Sequence, residues 1–240
     1  MTEMLPSEDP RSNLLLAALS AEERGRWASD LKFVALPLGL VLAEANQTMK
    51  FVYFPTTALV SLLYVMDTGA SAAVAVVGNE GIVGISLFMG GGSTTSRIVV
   101  QSGGHGFRLP ATTLQQEFGR GGQAMHLLLR YTQALIAQMS QTAVCNRHHS
   151  VDQQLCRWLL RSQDQLHGGQ LVMTQELIGN MLGVRREGVT EAANKLKRSK
   201  LIRYARGKIT VLDRAGLEAR TCECYAVVRH EYDRLLPAVT

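Results

Sequence analysis

No cysteine precedes Cys145 in this 240-residue chain, and the four present, Cys145, Cys156, Cys222 and Cys224, are irregularly spaced. That excludes the disulfide framework of a small secreted fold and makes reduced thiols the expectation. Long apolar runs are missing as well. The longest, through Leu59 to Met66, falls far short of the roughly 18 residues that a membrane-spanning helix needs, so no membrane partner is expected. The first ten residues carry acidic groups, Pro6 and Pro10 instead of a basic start and an apolar run, which is unlike a secretory signal and leads to the expectation of a cytoplasmic protein. The chain also lacks a Gly-x-x-x-x-Gly-Lys-Ser/Thr phosphate cradle, a Gly-x-Ser-x-Gly nucleophile turn and paired histidines at metal-binding helical spacing. Neither an enzyme nor a bound cofactor is expected, and no internal repeat or low-complexity tract is apparent.

What is present is unevenly distributed charge. Residues 1–144 hold 9 Lys/Arg against 10 Asp/Glu, residues 145–212 hold 12 against 5, and residues 213–240 hold 4 against 5. The whole positive excess therefore lies in one segment. A basic block in an otherwise neutral chain is the footprint of a binder of phosphate backbones, although a solvated basic face has the same composition.

The texture along the chain suggests two domains joined by a long element. Ser20 with Glu23 makes a capping box for a short lead-in helix towards Ser29. Short Val/Ile/Phe/Tyr-rich runs follow at Phe33–Leu42, Phe51–Phe54, Leu59–Met66, Ala72–Val77, Ile98–Val100 and Gly106–Leu109, broken by Gly, Pro and Asn, as in an all-β barrel or sandwich. After Gly119 to Gly122, apolar residues recur at helical spacing: Met125, Leu128, Leu129, Thr132, Leu135, Ile136, Met139, Thr142 and Ala143. This predicts a helix of five or six turns whose narrow seam, flanked by Gln133, Gln138 and Gln141, favours pairing with a second copy over burial in its own core. A further helix from Val151 to Gln163 carries Arg157 and Arg161 on its sides and ends before His167-Gly168-Gly169.

The informative stretch is Met173 to Leu212. Thr174 suits an N-cap, with Gln175 and Glu176 in the first turn of a helix that should end at Gly183. A helix-turn-helix needs a small residue within its first helix, a residue tolerant of positive φ at the turn, and apolar residues at fixed offsets. Gly179 and Gly183 meet the first two needs, and Ile178, Leu182, Val184, Val189 and Ala192 the third. Arg185, Arg186, Glu187 and Thr190 would then face away from the packed side. Arginine can pair with guanine O6 and N7 and glutamate can accept from cytosine N4, so Arg186 and Glu187 are candidates for reading a G·C step. Lys195, Lys197, Arg198 and Lys200 suit phosphates. Arg203 to Leu212 predicts a hairpin with a basic tip at Arg206, Gly207 and Lys208, a wing. A small α+β core with merely exposed charges is the bland alternative.

These residues resemble the Crp/Fnr superfamily of bacterial transcription regulators. The resemblance is sharpest from Leu182 to Thr190 (Leu-Gly-Val-Arg-Arg-Glu-Gly-Val-Thr), continues through Leu201-Ile202 and Arg206 to Ile209, and closes at Leu212-Asp213-Arg214; Val77 to Gly84 is similar to the family's barrel segment. It implies an α+β fold: an N-terminal cyclic-nucleotide-binding-like β-barrel or jelly-roll sensor domain over residues 1–120, a dimerisation helix over 121–146, and a winged helix-turn-helix over 147–240. It also implies a homodimer on a palindromic double-stranded operator, with RNA polymerase as a further partner and an unidentified small-molecule effector for the barrel. Arg186 and Glu187 inherit base reading, and Thr190 faces the groove. Glu191 departs from the family, many of whose members place there an arginine that reads guanine. Cyclic-AMP binders use Gly-Glu and Arg-Ser pairs, whereas here Ile85 follows Gly84 and Ile98 follows Arg97. Gly84 and Arg97 are thus weak ligand candidates, and cyclic AMP is not the expected effector. The cysteine cluster that holds an iron–sulfur centre ahead of the barrel in the family's oxygen sensors has no counterpart.

Two other readings stay open. One is a small-molecule-binding module whose DNA-binding end is vestigial. The other is a thiol- or metal-based redox sensor built on Cys145, His148 and His149 near the end of the long helix with Cys222-Glu223-Cys224. Because Cys-x-Cys alone lacks the spacing of a structural zinc site, the expectation is buried thiols and no metal.

Overall fold

The computed structural model describes residues 8–166, 171–205 and 207–237. Two short helices lead in, α1 (Leu14–Ala18) and α2 (Ala21–Trp27). Asn13 caps α1 by accepting from the N–H groups of Leu15 and Leu16, and its buried amide donates to the carbonyls of Pro55 and Gly81. A side chain that satisfies four partners at once fixes the lead-in against the barrel. The capping box of Ser20 and Glu23 opens α2 as the sequence predicts.

Seven strands follow: β1 (Lys32–Leu36), β2 (Val41–Ala43), β3 (Phe51–Pro55), β4 (Leu59–Val65), β5 (Ser71–Val77), β6 (Arg97–Ser102) and β7 (Gly104–Pro110). They form two antiparallel sheets, ordered β1-β7-β3 and β2-β6-β4-β5. Alternate side chains such as Val52, Phe54, Ile98, Val100, Phe107 and Leu109 meet in one core between them. The run 33–42, expected as one strand, is two. Pro37 has no N–H for a ladder and Gly39 turns at φ +82°, which leaves Leu38 and Leu40 exposed at a corner.

The helical part comprises α3 (Ala111–Gly119), α4 (Gly122–His148) and α5 (Val151–Gln165). Beyond it lie β8 (Leu171–Val172), α6 (Gln175–Leu182), α7 (Arg186–Arg198), β9 (Ile202–Ala205), β10 (Lys208–Val211), α8 (Arg214–Arg220) and α9 (Cys224–Leu235). The expected helix end at His167-Gly168-Gly169 and the wing residue Arg206 lie outside the described residues. At 27 residues α4 is longer than the five or six turns expected.

The expected seam of α4 merges two faces and needs correction. Leu128, Thr132, Leu135 and Thr142 are buried within their own chain, as is Gln138, which the sequence pattern places on a polar flank. Gln138 donates to Val76 O and accepts from Tyr232 Oη, so its polarity serves the interior. Leu129 and Ile136 are about half exposed, at 45 % and 51 %, on the opposite side.

A second core joins Leu155, Leu159, Ile178, Leu182, Val189, Leu196, Ile202, Ile209 and Leu217, and it also takes Leu59 and Ala73 from the barrel. The helix-turn-helix unit therefore sits on the outer side of β4 and β5. Val228, Tyr232 and Leu235 of α9 turn back into the first core, against Tyr131 of α4. Among the described residues no helix is long and apolar enough to cross a membrane.

Candidate nucleic-acid interface

Local chemistry fixes the α6–α7 corner. Thr174 accepts from Leu177 N–H at 3.2 Å to start α6. Gly183 ends it at φ +67°, a conformation that costs glycine nothing. A Cβ on Gly179 would stand 3.0 Å from Val184 O, so the close crossing of the two helices favours the smallest residue there. The turn is closed by Val184 N–H donating to Gly179 O at 3.0 Å.

Arg185 occupies the N-cap position of α7 without a capping side-chain bond, which leaves the first N–H groups of the helix and its positive dipole end facing outward. Val189, Ala192, Ala193 and Leu196 bury one face of α7 in the second core. The 3.6-residue period then puts Glu187, Glu191, Asn194 and Arg198 on the opposite face, and all four are exposed. Arg186 and Lys197 lie on a flank of the helix. With Thr174, Asn194, Tyr204 and Gly207 they line a groove between α7, the start of α6 and the hairpin. Asn194 was not singled out in the sequence, although its place seven residues after Glu187 and three after Glu191 would have put it on this face.

Several members of the set are already engaged. Thr190 Oγ1 lies 2.8 Å from Gln175 Oε1 and 2.9 Å from Arg186 O, and its single proton serves one of these acceptors, so it helps join α6 to α7. Glu191 pairs with Lys195 at 2.9 Å one turn on, and this hydrogen bond holds its carboxyl below the usual carboxylate range. The strands β9 and β10 pair Ala205 with Lys208, and β8 adds a third strand through Val172 and Lys208. Tyr204 Oη donates to Met173 O at 2.8 Å, and Met173 N–H donates to Gly207 O at 2.6 Å. Those two bonds tie the hairpin to the residue before the Thr174 cap, leaving Lys208 exposed beside the groove.

Not all of the basic block reaches this surface. Arg157 is 8 % exposed and donates to Thr142 Oγ1. Arg161 faces Glu80 at 3.6 Å and lies over the Tyr232 ring. The two arginines expected on the sides of this helix thus face the interior, since α5 lies against the barrel, α4 and α9.

In the barrel, Gly84 adopts φ +106° and is packed against Val52 and Met49. Arg97 alternates with the core residues Ile98 and Val100, so it stands on the outer face of its sheet, paired with Glu44 at 3.3 Å. The two ligand candidates thus have apolar packing and an ion pair as their immediate surroundings. Elsewhere, Cys145, His149, Cys222 and Cys224 are brought together where α4 ends and α9 begins, whereas His148 is exposed.

The model of the Crp-like helix-turn-helix domain matches residues 153–220 of the sequence. Comparison with curated proteins gives no match. Similar solved structures include FixK2 from Bradyrhizobium japonicum, 15 % identical, covering 80 % of this chain and 98 % of that one with a TM-score of 0.69. A Crp/Fnr-family transcriptional regulator from Thermus thermophilus is 20 % identical, covering 78 % and 97 % of the two chains with a TM-score of 0.60. The c-di-GMP-responsive global regulator CLP of Xanthomonas campestris is 14 % identical, covering 80 % and 99 % with a TM-score of 0.63. At such identities the likeness is one of fold.

Proposed function

We propose that the chain, whose residues 153–220 match the Crp-like helix-turn-helix domain and whose fold is similar to that of Crp/Fnr regulators, is itself a regulator of that type and binds a palindromic DNA operator as a homodimer. The observation that carries this reading is the exposed start of α7. Arg185, Arg186 and Glu187 project from a helix whose other face is fully buried, beside a groove that ends at the wing. In a major groove Arg186 pairs with guanine and Glu187 accepts from cytosine N4. Lys195, Lys197, Lys208 and Arg206 meet phosphates, with Thr174 at the positive end of α6. Glu191 stands on the outward face as an anion, so it contacts a base amino group and not a guanine acceptor edge.

Dimerisation is supported by α4. His126, Leu129, Gln133, Ile136, Ser140, Ala143 and Arg147 alternate at spacings of three and four residues, and all are exposed. That is a coiled-coil stripe with Leu129, Ile136 and Ala143 as its apolar positions. The barrel receives a signal other than cyclic AMP: Ile85 and Ile98 stand where ribose and phosphate partners would be needed, and Arg97 is paired with Glu44. Regulation then passes to RNA polymerase at the promoter.

Selection of duplexes from a random pool by the purified chain tests the reading. The expected result is a two-fold-symmetric site with half-sites about 34–36 Å apart and an affinity that falls steeply with salt. Recovery of no symmetric site, together with weak binding of all sequences alike, would count for the module with vestigial DNA binding.

A further inference from the structure

Cys145 and His149 lie one helical turn apart at the end of α4, and Cys222 and Cys224 flank the start of α9. Although His149 and Cys224 are 75 positions apart in sequence, the three sulfurs and one ring nitrogen all lie within 4.8 Å of one another. We propose that these four side chains bind one tetrahedral soft divalent ion, zinc in the first place, which staples the long helix to the C-terminal helix.

Two edges of the cluster have the size that a tetrahedral ion requires. Zinc–sulfur bonds of about 2.3 Å and zinc–nitrogen bonds of about 2.0–2.1 Å at tetrahedral angles imply S···S edges of roughly 3.8 Å and S···N edges of roughly 3.6 Å. Cys145 Sγ and Cys222 Sγ are 3.6 Å apart, and Cys224 Sγ and His149 Nδ1 are 3.4 Å apart. The sulfurs of the first pair are far outside bonding distance, and all four cysteines of the chain are free thiols.

The surroundings suit an ion. His149 Nε2 lies 3.3 Å from Glu223 Oε2, so Nε2–H donates to the carboxylate and the Nδ1 lone pair is left directed at the cluster. This is the carboxylate–histidine arrangement that orients metal-ligating imidazoles. Gln141 Nε2 donates to Cys224 Sγ at 3.1 Å, a bond that favours thiolate over thiol. Binding replaces three S–H bonds by three metal–sulfur bonds, releases three protons and leaves a centre of net charge −1. Buried Arg157 supplies the opposite charge: it is the favourable cationic neighbour of Cys145, its Nε has no hydrogen-bond partner, and no carboxylate within ion-pair distance is found for it among the described residues.

The test uses the full chain, purified under reducing conditions without chelator. One zinc per chain by mass spectrometry of the digested protein is expected. After chelator treatment, anaerobic Co²⁺ titration should give tetrahedral d–d bands and sulfur-to-cobalt charge transfer that saturate at one equivalent and are bleached by Zn²⁺. Glu223→Gln keeps all four ligands and is expected to weaken Co²⁺ binding about 10-fold or more, whereas His148→Ala leaves it unchanged. Wild-type protein with four titratable thiols, no stoichiometric metal and no charge-transfer band would overturn the proposal. So would a Cys145–Cys222 disulfide that persists in the reduced preparation. Neither outcome depends on whether a cysteine variant folds.

Discussion

Arg186 and Lys197 line the same groove, yet they are expected to report on different chemistry. In the proposed complex Arg186, at the start of α7, meets a base edge, and Arg186→Ala should cost roughly 1–3 kcal/mol at one base position and relax specificity there. Lys197, three turns along, belongs to the cationic end of the helix; Lys197→Ala should weaken binding to every sequence alike and reduce the salt dependence by about one counterion. Competition titrations against single-base operator variants at two salt concentrations separate the two. Equal loss of specificity from both substitutions would contradict the assignment. At the other end of the molecule a single carboxylate organises two helices. Glu23 accepts from Ser20 N–H in its own capping box and from Ala124 N–H, at 2.9 Å each, near the start of α4. Burial acts to raise its pKa, but the Ser20 and Ala124 hydrogen bonds outweigh it and hold the group below its ordinary 4.5. A lowered folded-state pKa means that the ionised form stabilises the fold above pH 4.5 and that this contribution disappears as pH falls through the folded value. Urea titrations should therefore show wild type losing its advantage over Glu23→Gln as pH falls below 4.5; a constant difference would show that the carboxylate's charge is irrelevant.

At the level of elements, α4 shows what a sequence pattern can and cannot convey. Its helical period is plain, but the apolar residues occupy both sides, and period alone does not say which side meets the same chain. Tyr131 and Gln138 are consumed by α9 and β5, elements far away in sequence, so the division into inner and outer faces depends on contacts invisible locally. It follows that Ile136 and Leu135, adjacent in sequence, should behave differently. Ile136→Asp places a charge on the exposed stripe and should convert a dimer to a folded monomer in analytical ultracentrifugation. Leu135→Asp puts an unpaired carboxylate in the core and should unfold the chain. A monomeric wild type, or an Ile136→Asp variant that stays dimeric, would remove α4 from the interface. The strands were legible because Val, Ile and Phe alternate between turn residues; the break at Pro37 and Gly39 was the exception, since a run of apolar letters hid a corner. Helix α3 was missed because Pro110 gives it no capping side chain and only Leu114 and Phe118 mark its apolar face. The helix-turn-helix was the most readable element, since Gly179, Gly183 and Thr174 each answer a local steric or hydrogen-bonding need. The cysteine–histidine cluster was the least readable, because its halves are brought together only by the return of α9 onto α4.

Across the whole molecule, the barrel and the helix-turn-helix unit are in direct contact, and this gives a signal a route. Helix α6 lies on β5, with the Cβ of Ala72 only 3.2 Å from where a Cβ on Gly183 would be, so the turn that sets the recognition helix touches the barrel. Beside it, Glu80 of the barrel faces Arg161 and accepts from Gln165 Nε2, both on α5. The pair is nearly buried, at 11 % and 12 % exposure of the two side chains, and Arg161 also lies over Tyr232. Removing one partner of such a pair strands the other charge, which typically costs about 3–5 kcal/mol. The 3.6 Å separation and the aromatic face of Tyr232 argue for the lower end. Glu80→Ala should thus lower the melting temperature by several degrees, at roughly 2–4 °C per kcal/mol for a chain of this size. More tellingly, it should also change operator affinity, because α5 is the helix on which α7 is packed, although Glu80 is itself on the barrel. Glu80→Gln, which keeps a hydrogen-bonding group but not the charge, separates packing from electrostatics. If Glu80→Ala shifts the melting temperature and leaves operator affinity untouched, the contact holds the two halves together without transmitting anything between them, and the route from barrel to recognition helix must run through α4 instead.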